Sequence, residues 1–135
     1  MKAYGLNYKT IQWVKSFLEN RTQIVKVNGT ESRKCKVSSG IPQGSVLGPI
    51  LFVLYINDLP ENIRSELYMF VDDTKIYNQV FHNDDQKNIQ EDINRLLQWS
   101  RKWLLSFHPG KCHVLKLGNR SEGDDYEYKM DSTIL

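Results

Sequence analysis

Cysteine is scarce in this sequence, and what there is lies far apart. The chain has two among its 135 residues, Cys35 and Cys112, too few and too widely separated for the disulfide framework of a small secreted domain. Both read as free thiols of a reducing compartment. No C-x-x-C or H-x3-H spacing accompanies Cys112-His113, which argues against a structural zinc site. Long apolar runs are missing too: the longest, Val46 to Ile56, contains Gly48 and Pro49 and is too short to span a bilayer. The sequence shows no signal-peptide pattern, internal repeat or low-complexity stretch. Net charge is only +2, so overall electrostatics does not announce a nucleic-acid binder. Its distribution is less even. Residues 1–60 carry eight Lys/Arg against three Asp/Glu, and residues 61–135 carry ten against thirteen. The basic first half could face a phosphate backbone, although a solvated surface explains it better.

What is present has ordinary globular proportions, 40% apolar and 25% charged, in a chain of about one domain or a piece of one. Both ends are expected to be cut rather than natural. Thr10 is placed to cap a helix running to about Asn20, with Ile11, Val14, Phe17 and Leu18 on one face. Strands are predicted at Gln23 to Val27 and Lys34 to Val37, around an Asn28-Gly29 dipeptide that tolerates the positive φ of a tight turn. This hairpin gathers Lys26, Arg33, Lys34 and Lys36, the candidate contacts to a nucleic-acid backbone. A Gly/Pro loop, Ser38 to Gly44, leads into Val46 to Ile56, which is apolar on every side and predicts a central, buried helix.

Farther on, strands predicted at Glu66 to Phe70 and Thr74 to Tyr77 flank Val71-Asp72-Asp73 and put two acids near a hairpin tip. Asp84 to Leu104 is the clearest helix, with Ile89, Ile93, Leu96, Leu97, Trp103 and Leu104 at helical spacing and Glu91-Arg95 as an i,i+4 pair. A Pro109-Gly110 turn, a strand at Cys112 to Leu117, a solvated loop at Ser121 to Asp125 and a short strand at Tyr126 to Met130 complete the order. The fold class implied is α+β, an antiparallel sheet with helices packed on one face.

Asp72 and Asp73 are the residues suited to chemistry. Adjacent carboxylates repel, so holding both on one hairpin costs stability unless a cation is bound. Phosphoryl transfer uses such carboxylates to hold the divalent metals that neutralise charge on the attacking and leaving oxygens. Taken alone, an Asp-Asp pair in a turn is common. Its context is not: Ser39-Gly40-Ile41-Pro42-Gln43-Gly44-Ser45-Val46-Leu47-Gly48-Pro49, then Ile50-Leu51-Phe52, stands ahead of Phe70-Val71-Asp72-Asp73.

This pairing of S-G-x-P-Q-G-S-x-L-G-P with F-V-D-D resembles the reverse transcriptases of non-LTR retrotransposons, especially the jockey- and CR1-like ones. The resemblance covers nearly the whole chain. It implies part of a polymerase palm over residues 1–118 and the start of the connection toward the thumb over 119–135. Gly40 and Gly44 would let backbone approach a ligand closely, and Pro42 and Gln43 would position template or nucleotide with them. Asp72 would ligate Mg²⁺ (or Mn²⁺) with Asp73 beside it, and Phe70 would pack near the primer end. Lys111 matches a lysine near the triphosphate, able to protonate or neutralise the leaving pyrophosphate.

The implied partners are an RNA template, a DNA primer and dNTPs, with no membrane and no small-molecule cofactor, in an intracellular setting of cytoplasm and nucleus. The family's first catalytic aspartate stands upstream of a segment resembling Lys2-Ala3-Tyr4-Gly5-Leu6. The chain alone is therefore expected to be inactive or nearly so, as a fragment of the polymerase. The competing expectation is a non-catalytic remnant of a truncated element, at most a weak nucleic-acid binder through Lys26, Arg33, Lys34 and Lys36.

Overall fold

The computed structural model describes residues 1–118 and 126–135, so the expected loop at Ser121 to Asp125 lies outside it. The chain divides into two compact units, Met1–Tyr55 and Ile56–Leu135. In the first, helix α1 spans Tyr8–Leu18 and is capped by Asn7, not Thr10. The acceptor must come from an extended residue just ahead of the helix. Asn7 has that backbone, and its Oδ1 accepts from Thr10 N at 2.9 Å and Thr10 Oγ1 at 3.1 Å. Val14 is buried on the inner face, with Ile11, Phe17 and Leu18 half-buried beside it.

The basic hairpin is built from four two-residue strands, β1 (Thr22–Gln23), β2 (Lys26–Val27), β3 (Thr30–Glu31) and β4 (Cys35–Lys36). Asn28 and Gly29 both take positive φ, 48° and 83°, the pattern of a type I′ turn. A two-residue turn sends the chain straight back, so the return arm starts at Thr30 and not at Lys34. Lys26 then opposes Glu31, whereas Gln23 opposes Cys35. The register therefore slips by one residue between the two ladders, and the return arm carries an extra residue near Arg33-Lys34, as in a β-bulge.

Helix α2 (Leu47–Ile56) forms where expected but is not enclosed. Gly48 and Ile56 are buried, while Ile50 and Val53 remain 53% and 58% exposed. A helix that is apolar all round needs neighbours on every side, and short two-stranded hairpins cannot supply them.

In the second unit, a 3-10 turn at Leu59–Asn62 leads into β5 (Glu66–Phe70) and β6 (Asp73–Tyr77), paired antiparallel. Helix α3 (Asn83–Trp103) follows. The Asp85 carboxylate accepts from the amides of Phe81 and His82, 2.9 Å each, at its start. These bonds, the Phe81 one foremost, hold its pKa below the usual value. The predicted Glu91-Arg95 pair is present at 3.2 Å. The core of the unit is Ile93, Leu97, Tyr128 and Met130, with Ile89, Phe107, Cys112, Tyr126 and Leu135 packed around it.

The expected terminal strand shrinks to β7 (Lys129–Met130), which pairs with β8 (Thr133–Ile134). Gln90 fastens this hairpin to α3: its amide donates to Lys129 O and accepts from Lys129 N, both at 2.8 Å. Cys112 to Leu117 is not a strand. Extended backbone becomes a strand only through a ladder, and no described segment offers it one. Leu115 and Leu117 stay exposed.

Helices and antiparallel strands are thus mixed, as an α+β class requires. The expected single sheet is not formed among the described residues, because every ladder is two-stranded.

Candidate active site

The Ser38 to Gly44 loop earns its shape from two glycines and three carbonyl contacts. Ser45 N donates to Pro42 O at 3.2 Å, and Gly44 has φ 78°. A positive φ at the third residue of such a turn is the type II pattern, with Gln43 at the exposed corner. Gly40 also has positive φ, 72°, and a Cβ at either glycine would meet nothing within 4 Å. Both glycines are therefore required by backbone conformation, and open space surrounds them. Pro42 is half-buried. On the far side, Ser45 Oγ accepts from Gly48 N at 3.1 Å and joins the loop to the first turn of α2. Gly48 itself permits close packing, since a Cβ there would lie 3.0 Å from Ile41 Cδ1.

Arg21 holds the near side of the loop. Its Nε donates to Leu18 O at 2.8 Å, and its terminal nitrogen donates to Ser39 O at 3.3 Å and to Gly40 O. Nothing in the local sequence pattern singles this residue out, because two of its three acceptors, Ser39 O and Gly40 O, are backbone carbonyls distant in the chain.

In the second unit, Phe70 opposes Asp73 in register, leaving Val71-Asp72 as the two-residue turn between β5 and β6. Asp72 occupies the tip and Asp73 opens β6, one residue farther into the strand than expected. Both are exposed, and neither forms an ion pair among the described residues. Val71 takes φ 55°. Positive φ at the first turn residue alone is the type II′ pattern, which favours glycine, and a β-branched residue there is strained. Replacing Val71 with Gly is expected to raise the stability of the hairpin by about 1 kcal/mol, the low end of such strain. Thermal melting checks this, and a lower Tm in the variant would mean that the turn stores no strain.

Pairing in register places Phe70, Tyr68 and Tyr77 on the same face of the hairpin, with Leu67, Met69, Thr74 and Ile76 on the other. Phe70 is 79% exposed. Tyr68 and Tyr77 stack with ring centroids 5.6 Å apart, and a hydrogen bond from one phenol to the other pushes the Tyr77 pKa up.

Lys111 ends a 3-10 turn, Pro109–Lys111, and is exposed. No hydrogen bond or ion pair joins it to Asp72 or Asp73 among the described residues. Lys26 is neutralised by Glu31 at 3.1 Å, while Arg33, Lys34 and Lys36 carry no ion pair among the described residues. The structure therefore brings Asp72, Asp73 and Phe70 onto one turn. Gly40, Pro42, Gln43 and Gly44 belong to a separate loop in the first unit.

Among the described residues no group of three His, Cys, Asp or Glu side chains could hold a metal ion. Two adjacent exposed carboxylates without a cationic partner nonetheless suit a hard divalent ion. Mg²⁺ commonly takes one or two carboxylates from protein and its remaining oxygens from water and phosphate.

The family described as reverse transcriptase (RNA-dependent DNA polymerase) matches residues 1–129, and the chain belongs to it. Within that family it is a reverse transcriptase segment of the non-LTR retrotransposon kind. It is similar to the probable RNA-directed DNA polymerase from transposon X-element of Drosophila melanogaster, 34% identical over 113 residues, 76% of this chain and 12% of that protein. It is likewise similar to the RNA-directed DNA polymerase from mobile element jockey of the same fly, 32% identical over 117 residues, 80% of this chain and 13% of that protein. The chain thus spans about an eighth of these relatives. No solved structure matches it. No helix among the described residues is long and apolar enough to cross a membrane.

Proposed function

We propose that residues 1–118 form part of the palm of an RNA-directed DNA polymerase that extends a primer 3′-OH with dNTPs on an RNA template, with 119–135 beginning the connection toward the thumb. The observation that carries this reading is the Asp72-Asp73 pair, two exposed carboxylates with no ion pair among the described residues, Asp72 on a strained hairpin tip and Asp73 opening the next strand. Asp72 would hold Mg²⁺ or Mn²⁺, with Asp73 as the second carboxylate. A metal held there would supply neutralisation of the charge developing on the attacking and leaving oxygens. Phe70, exposed beside the turn, offers its ring to the primer end. Gln43, at the corner of its type II turn, faces template or nucleotide. Lys111 supplies a mobile ammonium for the leaving pyrophosphate. Arg33, Lys34 and Lys36 add weak, salt-sensitive contacts to a nucleic-acid backbone, with Lys26 half-committed to Glu31. The setting of such a polymerase is the cytoplasm and nucleus, where element RNA is made and copied.

Two carboxylates are half of what a two-metal site needs, so the other ligands must come from outside these residues. Primer extension on poly(rA) with oligo(dT) and either Mg²⁺ or Mn²⁺ is expected to show no synthesis by the 135-residue chain. The same residues substituted into the matching segment of the jockey polymerase are expected to support it. Robust synthesis by the chain alone would overturn the half-site reading. A silent chimera, with a parent polymerase that works, would favour the remnant that binds nucleic acid weakly and catalyses nothing.

A further inference from the structure

We propose that Arg21 is the positioning residue of the Gly40–Gly44 loop. Its half-buried guanidinium spans two places. It meets Leu18 O in the last turn of α1, where carbonyls lack a helical partner, and it meets Ser39 O and Gly40 O at the mouth of the loop. A planar fork with permanent charge and several fixed donors suits three carbonyls arranged this way, and a lysine ammonium on a flexible stem does not.

The charge is directed at backbone although a carboxylate is close by in sequence. Glu19 pairs instead with Lys15, at 3.8 Å, and Arg21 forms no ion pair among the described residues. Gly40 is the hinge that this contact controls, since its carbonyl accepts from Arg21 and, at φ 72° without a side chain, its backbone is otherwise free to turn. Ser45 and the type II turn fix the α2 end of the loop. Arg21 fixes the other end, and the orientation of Gln43 depends on both.

This inference rests on reading the loop as the positioner of template and nucleotide. Releasing the Gly40 carbonyl lets the loop populate other orientations, and apparent affinity falls by the fraction of time spent in the productive one. In the jockey chimera, Arg21→Ala is expected to raise the apparent KM for dNTP about tenfold, with kcat per titrated active site changed less than about threefold. Arg21→Lys should fall between it and the unmodified enzyme. In the 135-residue chain, exchange of the Ser45 amide, the loop amide that donates a hydrogen bond, should quicken about tenfold in Arg21→Ala while that of the α1 interior does not.

Unchanged exchange in the loop overturns the proposal. So does a fall in the number of active sites with dNTP KM unchanged, which marks a role in stability alone. Gln43→Ala separates the two levels of inference. If it leaves the dNTP KM unaltered, the reading of the loop fails. If it raises KM while Arg21→Ala does not, the loop reading stands and the role of Arg21 fails.

Discussion

Replacing Asp72 with Asn in an active polymerase carrying these residues is expected to lower primer extension at least about a thousandfold, some 4 kcal/mol of lost transition-state stabilisation. The substitution preserves size and shape and removes only the charge, so whatever is lost is electrostatic. The position also separates catalysis from folding. Asp72 is exposed at the tip of the β5–β6 turn and has no ion-pair partner among the described residues. Its neutralisation should therefore change stability by no more than about 0.5 kcal/mol, as for surface positions generally.

Asp73 differs because it already belongs to β6, opposite Phe70, and its carboxylate leaves from a strand residue rather than from the tip. Asp73→Asn is expected to cost about tenfold to a hundredfold, less than the roughly hundredfold to thousandfold of a contact aimed directly at the developing charge. Steady-state primer extension, with melting curves for each variant, measures both effects. Activity of Asp72→Asn within tenfold of the unmodified enzyme would remove Asp72 from the metal site.

Sequence patterns exposed some parts of this structure and hid others for identifiable reasons. The Asn28-Gly29 turn, the position of Asp72 at a hairpin tip and the span of α3 were all legible. Each is set by neighbours a few residues away, either by turn chemistry or by a 3.6-residue stripe. The strand expected at Cys112 to Leu117 failed because pairing is non-local and the partner must come from elsewhere. The enclosure of α2 failed for a related reason. Its all-apolar pattern suits neighbours on every side, whereas Ile50 and Val53 stay more than half exposed. Arg21 left no pattern at all, as the two carbonyls that tie it to the loop are 18 and 19 residues away. Asp92 did leave one. It falls with Ile89, Ile93 and Leu96 on the apolar stripe of α3, and a carboxylate in that position has to be buried with partners.

Asp92 is 0% exposed and is expected to be the costliest single side chain of the second unit to remove. Its Oδ2 accepts from Arg64 N at 3.1 Å and Ser65 N at 2.8 Å, and its Oδ1 accepts from Arg95. The two amides lie at the root of β5. Together with the Trp99 Nε1 bond to Asp58 at 2.9 Å, they tie the segment between α2 and β5 to α3. Asp92→Ala would leave the buried Ser65 amide without its acceptor, at about 1–3 kcal/mol, and the part-buried Arg64 amide as well, at less. A total near 3 kcal/mol is expected in chemical denaturation, since part of the loss is regained if water enters. Arg95 is not stranded by the change, because it keeps Glu91. Conversely Glu91→Gln, which touches only exposed pairs with Arg64 and Arg95, should cost under about 0.5 kcal/mol.

The sign of the pH dependence follows from the same contacts. Burial pushes the Asp92 carboxyl up, but hydrogen bonds from Ser65, the Arg64 amide and Arg95 outweigh it and hold the pKa below the ordinary 3.8. A carboxyl with a lowered folded-state pKa stabilises fully above 3.8 and loses that contribution as pH falls through the folded value. Stability of the unmodified chain should thus decline below about pH 4, and Asp92→Ala should flatten that decline. An equal acid slope in both proteins, or a loss under about 1 kcal/mol in Asp92→Ala, would show that the root of β5 is held by packing and not by this carboxylate.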